Sequence, residues 1–293
     1  MPDGTSTAEA GRFDLDRATV ERRLDELVAE NRFTISVVVP LVGAAVLISG
    51  AKGFLPEVVA FNPYFVLSGT LIMRLPLIAG VAPLVGRKAG ALLAGMCGYA
   101  YAIEFVGIRT GWPYGPFEYG VNLGPMVEGV PLALPLFFLP LVLNAYLLAV
   151  LLLGPRATRR ALRLPATLAV VLAIDLVLDP GAVAIGFWRY FEGGVYYGVP
   201  LTNYGGWVLS GAVATVAFDL AFERTDLLAR LEERAFMLDD LVSFVVLWGL
   251  VNLAFANWLP VLITVALAGG LIATDAFDFD VFHRSSGDGG DGI

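Results

Sequence analysis

The 293-residue chain has one cysteine, Cys97, one histidine, His283, and two lysines, Lys52 and Lys88. A single Cys97 excludes an internal disulfide, and a single His283 excludes a His-rich metal site, so no metal is expected and haem, copper and multi-His iron chemistry are set aside. Arginine supplies most of the 19 basic residues, which face 27 acidic ones for a net charge of −8. No basic stripe runs along the chain, which argues against a nucleic-acid partner. There is no Gly-rich dinucleotide fingerprint and no phosphate loop, so no nucleotide cofactor is expected. The last apolar run contains no lysine, which leaves a retinal Schiff base without its nucleophile. The first 33 residues are charged and the first apolar run starts near Ile35; that run is expected to act as an uncleaved anchor rather than a cleaved signal.

What the chain does have is apolar length. It is 57% hydrophobic, and its apolar runs repeatedly reach the roughly 20 residues that a helix needs to cross the hydrocarbon core. The expected fold is an all-α polytopic membrane bundle of about eight transmembrane helices, near 34–51, 63–85, 89–107, 130–153, 164–187, 205–223, 238–256 and 258–275. Residues 1–33 read as an acidic cytoplasmic tail with a short amphipathic helix (Val20, Leu24, Leu27, Val28) packed on the bundle or on a second copy, and residues 276–293 as an acidic disordered tail. Arg87, Lys88, Arg156, Arg159, Arg160, Arg163, Arg224, Arg230 and Arg234 fall in alternate connections on the side of the N-terminal arginines. The positive-inside rule then places both termini in the cytoplasm of a multi-pass protein of the cell membrane.

The same rule puts two aromatic, Gly/Pro-rich loops outside: "TGWPYGPFEYG" (110–120) and "GFWRYFEGGVYYGVPLTNYGG" (186–206). Glycine and proline shape such loops, and their aromatics can line a site as well as form an interfacial belt. The candidates in the first loop are Trp112, Tyr114, Phe117 and Tyr119. In and after the second they are Trp188, Tyr190, Tyr196, Tyr197, Asn203 and Trp207, with Tyr204 beside them. Carboxyl groups inside spans carry more information, because they are tolerated mainly where they face a cavity or a partner. Glu104, Asp175, Asp179 and Asp219 qualify. Asp175 and Asp179 stand four apart, on one helix face, just before Pro180 and Gly181. Arg74, the one basic residue deep in a span, is a candidate partner for one of these carboxylates, as are Arg109 and Arg189. Asn144 and Asn252 suit interhelical hydrogen bonds, and Asp239 and Asp240 suit a helix start. These residues alone leave open a pigment-binding scaffold, a small transporter, or another isoprenoid enzyme such as an isomerase, cyclase or prenyl transferase. Against the last, only one Asp-x-x-x-Asp is present, and not on the cytosolic side.

The stretches "EFVGIRTGWPYGPFEYG", "GVPLALPLFFLPLVLNAY", "DLVLDPGAVAIGFWRY" and "GGVYYGVPLTNYGGW" resemble the carotenoid-biosynthesis membrane protein family that includes carotenoid hydratases, over about residues 35–275. The acidic, lysine-poor character points to its haloarchaeal branch. The resemblance implies addition of water to terminal trisubstituted double bonds of a long linear C50 carotenoid, without a redox cofactor. The implied partners are that carotenoid, water, membrane lipid and other carotenoid-pathway membrane enzymes. Such a hydration protonates the less substituted carbon and captures the tertiary cation with water. It needs an acid that keeps its proton, aromatic faces near the cation, and a base that directs the water. Among the residues above, Asp179 suits the proton donor with Asp175 tuning it, and Glu104 or Glu118 suits the base.

Overall fold

The computed structural model describes residues 5–282, with side chains from Arg17 onward. It is an all-α bundle in which seven helical stretches are long and apolar enough to cross a membrane: Arg17–Ala51, Glu57–Leu84, Arg87–Thr110, Leu134–Thr158, Arg160–Ala184, Leu201–Ala221 and Ala235–Ala254. Helices are the natural outcome, because hydrocarbon offers no partner for an open backbone N–H or C=O. The eighth expected span is a 15-residue apolar helix, Trp258–Ile272, about 22 Å long at 1.5 Å per residue. It packs back on its predecessor as a hairpin turned at Ala256, where φ is +57°.

The first span is built differently from the short helix and separate anchor expected. Helix α1 (Thr5–Phe33) runs through a π-turn (Thr34–Val38) into α2 (Val39–Ala51), kinked at Asn31. Pro40 has no N–H for the Ser36 carbonyl, and the backbone shifts register beside it, with the Val39 N–H donating to Thr34, five residues back. The amphipathic pattern is only half used: Val28 is fully buried, whereas Val20 and Leu27 are exposed. Buried Asp25 fixes the helix instead, accepting from Arg230 at 2.7 Å and Arg234 at 2.9 Å, on and just beyond α9 (Arg224–Glu233).

After a one-turn helix α3 (Glu57–Ala60), α4 (Pro63–Val81) and α5 (Arg87–Thr110) lead to the first loop. Helix α6 (Leu134–Leu153) is the centre of the bundle, buried without a break from Phe138 to Val150 apart from Leu139. It packs on α7 (Arg160–Ala184), which packs on α8 (Leu201–Ala221). Helix α10 (Asp239–Ala254) lies against α2 and α7, and α11 (Trp258–Ile272) against α10. Pro180, inside α7, leaves the Leu176 carbonyl without its helical donor. The Tyr196 hydroxyl donates to that carbonyl at 3.2 Å, and Asn252 Nδ2 donates to the next one, Val177, at 2.8 Å.

Three ion-paired clusters sit away from the aromatic loops and correct several expectations. Arg74 binds Asp240 at 2.5 Å, not a carboxylate of the candidate site, and Asn144 donates to the same Asp240 at 2.6 Å. Asp239 and Asp240 do stand in the first turn of α10, and they are buried ion-pair partners as well; Asp239 binds Arg32 at 2.8 Å. Asp219 is held by Arg163 at 2.5 Å, Arg160 at 2.8 Å and Tyr146 at 2.8 Å. Beyond α11, a disordered tail was expected from 276. Phe279–Phe282 form a 3₁₀ turn with Val281 fully buried, and Asp278 pairs with Arg32. The rest of that tail, 283–293 with His283, lies outside the described residues.

Candidate active site

The two aromatic loops are one structure. Strand β1 (Phe117–Tyr119) pairs antiparallel with a strand of the second loop, Trp188–Tyr190, in the register Phe117↔Tyr190, Glu118↔Arg189, Tyr119↔Trp188. Side chains alternate across a strand. Phe117, Tyr119, Trp188 and Tyr190 therefore turn inward and line a cavity, while Glu118 and Arg189 turn outward and pair with each other. The loops approach closely at Gly120, where a Cβ would lie 2.3 Å from the Gly186 carbonyl oxygen.

Below this lid the cavity holds about 520 Å³ and reaches from the loops to Arg74 and Asn144. Its walls are mostly apolar, with Phe138, Phe187, Trp207 and Trp248 among them. Its polar groups near the lid are few. Glu104, near the end of α5, accepts from the Tyr119 hydroxyl. Asp179, on the last turns of α7, accepts from Asn203 Nδ2, and the Tyr190 hydroxyl is directed at it. Asp175 stands one turn deeper behind the wall, 3.4 Å from the same Asn203 nitrogen. Both aspartates are buried, and Asp175 Oδ1 has no hydrogen-bond partner among the described residues. None of the three carboxyl groups is ion-paired among the described residues, since the buried arginines are engaged elsewhere.

Helix α8 adds Asn203 and Trp207 to the wall and holds Tyr114 through one stripe. Asn203, Gly206 and Ser210 recur at i, i+3 and i+7, the spacing of a helix face. A Cβ at Gly206 would lie 2.4 Å from the Tyr114 ring, so only glycine lets that ring lie flat against the helix. The Tyr114 hydroxyl then meets Ser210 Oγ at 2.7 Å, which is also 3.0 Å from the Tyr99 hydroxyl. Burial pushes the phenols of Tyr114, Tyr119 and Tyr190 above their ordinary range, so all three stay O–H groups.

The sequence candidates thus divide. Glu104, Asp179, Tyr114, Phe117, Tyr119, Trp188, Tyr190, Asn203 and Trp207 line the cavity, with Asp175 directly behind. Glu118 does not: it is a partner of Arg189 on the outer face of the strand pair. Trp112 is 58% exposed and off the cavity. Tyr196 and Tyr197 also lie outside it, the first bonded to the Leu176 carbonyl and the second accepting from the Leu259 N–H at 3.2 Å. Sequence reasoning missed Ser210 and Tyr99, which hold Tyr114, and Phe138, whose ring lies 5.8 Å from that of Trp207. Ser210 was recoverable from its spacing to Asn203; Phe138 and Trp248, on runs that read as plain core, gave no signal.

Residues 61–271 match the model of a family described as carotenoid biosynthesis protein. Over 266 residues, 90% of each chain, the sequence is 60% identical to a bisanhydrobacterioruberin hydratase from Haloarcula japonica. No solved structure matches. A match over most of the chain, spanning the segment that holds the two loops, identifies the chain as a multi-pass membrane member of the carotenoid biosynthesis protein family.

Proposed function

We propose that this chain is a carotenoid hydratase, a hydro-lyase that needs no cofactor and adds water to the terminal C=C bonds of bisanhydrobacterioruberin to give bacterioruberin. The observation that carries the reading is the 60% identity to a hydratase of that name across 90% of both chains. The cavity supports it: apolar walls for a polyene, and carboxyl groups gathered at one end under aromatic rings.

In the proposed mechanism the terminal alkene lies between Asp179 and Glu104. The π pair takes the proton of the Asp179 carboxyl, a C–H bond forms at the less substituted carbon, and the cation is left on the tertiary carbon. Tyr190, Trp188 and Phe117, which line the cavity, supply the aromatic rings that stabilise that charge in this mechanism. Water attacks the cation, forming the C–O bond, and gives its proton to the Glu104 carboxylate, which the Tyr119 hydroxyl orients. Return of that proton from Glu104 to Asp179 through cavity water completes the cycle, and the sum is one water added. Asn203 keeps Asp179 facing the cavity, and Asp175, one turn deeper beside the same Asn203 nitrogen, is the residue that tunes it. The chain sits in the cell membrane with both termini cytoplasmic and the aromatic lid on the outer side, as its arginine distribution supports.

The test is mass spectrometry of pigments from cells that make bisanhydrobacterioruberin, with and without this protein, in heavy-oxygen water. One labelled oxygen gained at each terminus is expected. Unchanged pigment that copurifies with the protein would replace the hydratase by a pigment-binding scaffold.

A further inference from the structure

A cavity of about 520 Å³ matches sites that enclose a drug-sized ligand. An extended C50 polyene rivals the whole hydrocarbon core, roughly 30 Å. On the hydratase reading, on which this inference rests for the identity of the ligand, the cavity houses one terminus and the remainder of the chain must leave it. Two directions are closed. Toward the lid stand the strand pair and the carboxyl groups. Toward the other end stand Arg74, Asn144 and Asp240, and both Arg74 Nε and Asn144 Oδ1 are buried without a hydrogen-bond partner among the described residues. A hydrocarbon chain pushed past these groups would shut them off from any compensating polar contact, which is costly for an ion pair.

The side wall is different. Of the residues that line the cavity, those that are also exposed on the outside are Val38, Val42 and Phe65, at 37%, 56% and 65%. All three belong to one seam, between the π-turn with α2 and the first turns of α4. Gly69, one turn beyond Phe65, also lines the cavity, and a Cβ there would meet open space. No other residue that lines the cavity is exposed to this degree; the rest are half-buried or buried.

We infer that this seam is a lateral portal, through which one end of the polyene enters from the lipid while the rest of the chain stays in the bilayer. Gly69 leaves the middle of the seam clear.

Photo-crosslinking in lipid nanodiscs loaded with bisanhydrobacterioruberin tests the route without relying on turnover. p-Benzoylphenylalanine is placed at Val42 or Phe65, and at Leu262 or Val265 as controls on α11, which are 64% and 63% exposed. At least tenfold more polyene adduct is expected at the first pair. Equal labelling at all four positions, in protein that still hydrates its pigment, overturns the portal and leaves the hydratase reading intact. Strong labelling at Val42 and Phe65 with no water gained keeps the portal and overturns hydration. A second variant, Gly69→Trp, fills the seam: hydration of the C50 substrate is expected to fall at least tenfold, while the thermal unfolding midpoint in detergent stays at the wild-type value. Undiminished C50 hydration in Gly69→Trp likewise overturns the portal.

Discussion

A single amide nitrogen, Asn203 Nδ2, donates to Asp179 and lies 3.4 Å from Asp175, so one neutral side chain on α8 ties together two carboxyl groups one turn apart on α7. The arrangement is asymmetric. Asp179 faces the cavity, whereas Asp175 does not reach it. In the proposed mechanism that asymmetry gives different duties to two residues of the same type.

Asp179→Asn keeps the size and polarity of the side chain but removes its transferable proton. Hydration is expected to fall by about 10²–10⁴-fold, with the thermal unfolding midpoint in detergent little changed. Pigment analysis of the purified variant checks the first and a melting curve the second; a variant that still turns over would move the proton donor to Glu104.

Glu118→Gln is expected to leave hydration within twofold. The Glu118–Arg189 pair is exposed at 46% and 72% of its side chains, and exposed pairs contribute about 0–1 kcal/mol. A large loss of activity would return Glu118 to the site from which the strand alternation removes it.

Gly206→Ala puts a methyl group 2.4 Å from the Tyr114 ring. Overpacking of this kind costs about 1–3 kcal/mol, and here it also pushes Tyr114 off Ser210 and into the cavity. Loss of hydration larger than the loss of folded protein is the expected outcome, read from turnover per folded molecule. Gly69, on the open seam, lacks any such neighbour.

Asp219→Ala separates stability from chemistry. It strips Arg163, itself buried, of its carboxylate, and breaking a buried pair typically costs about 3–5 kcal/mol. Less protein should survive heating, while what remains folded hydrates at the wild-type rate.

Periodicity made much of this legible. The four-residue spacing of Asp175 and Asp179 put both on one face before any coordinates, and Glu104 near the end of its span fell at the same level. The apolar runs located the spans because hydrocarbon admits little else. Periodicity failed where a second chain segment decided the outcome. Phe-Glu-Tyr and Trp-Arg-Tyr look like loop text until they pair, and only the pairing shows that their middle residues turn away from the site. Arg74 and Asp240 lie 166 residues apart, so no local pattern announces their meeting; Asp239 and Asp240 read as helix starters because the first turn of a helix favours acids whether or not an arginine waits there. Tyr196 and Tyr197 were drawn into the site by composition, although backbone groups near Pro180 and on α11 claim their hydroxyls.

The cavity has one set of carboxyl groups, at one end, and the polyene has two reactive ends. Each encounter with the bundle can finish only one of them, after which the chain must withdraw into the bilayer, turn about or find another copy, and enter again. On the proposed mechanism and portal, the reaction is then distributive rather than processive. Half-converted pigment should build up early in a time course as a free, membrane-dissolved species, decline later, and persist longer when protein is scarce relative to pigment.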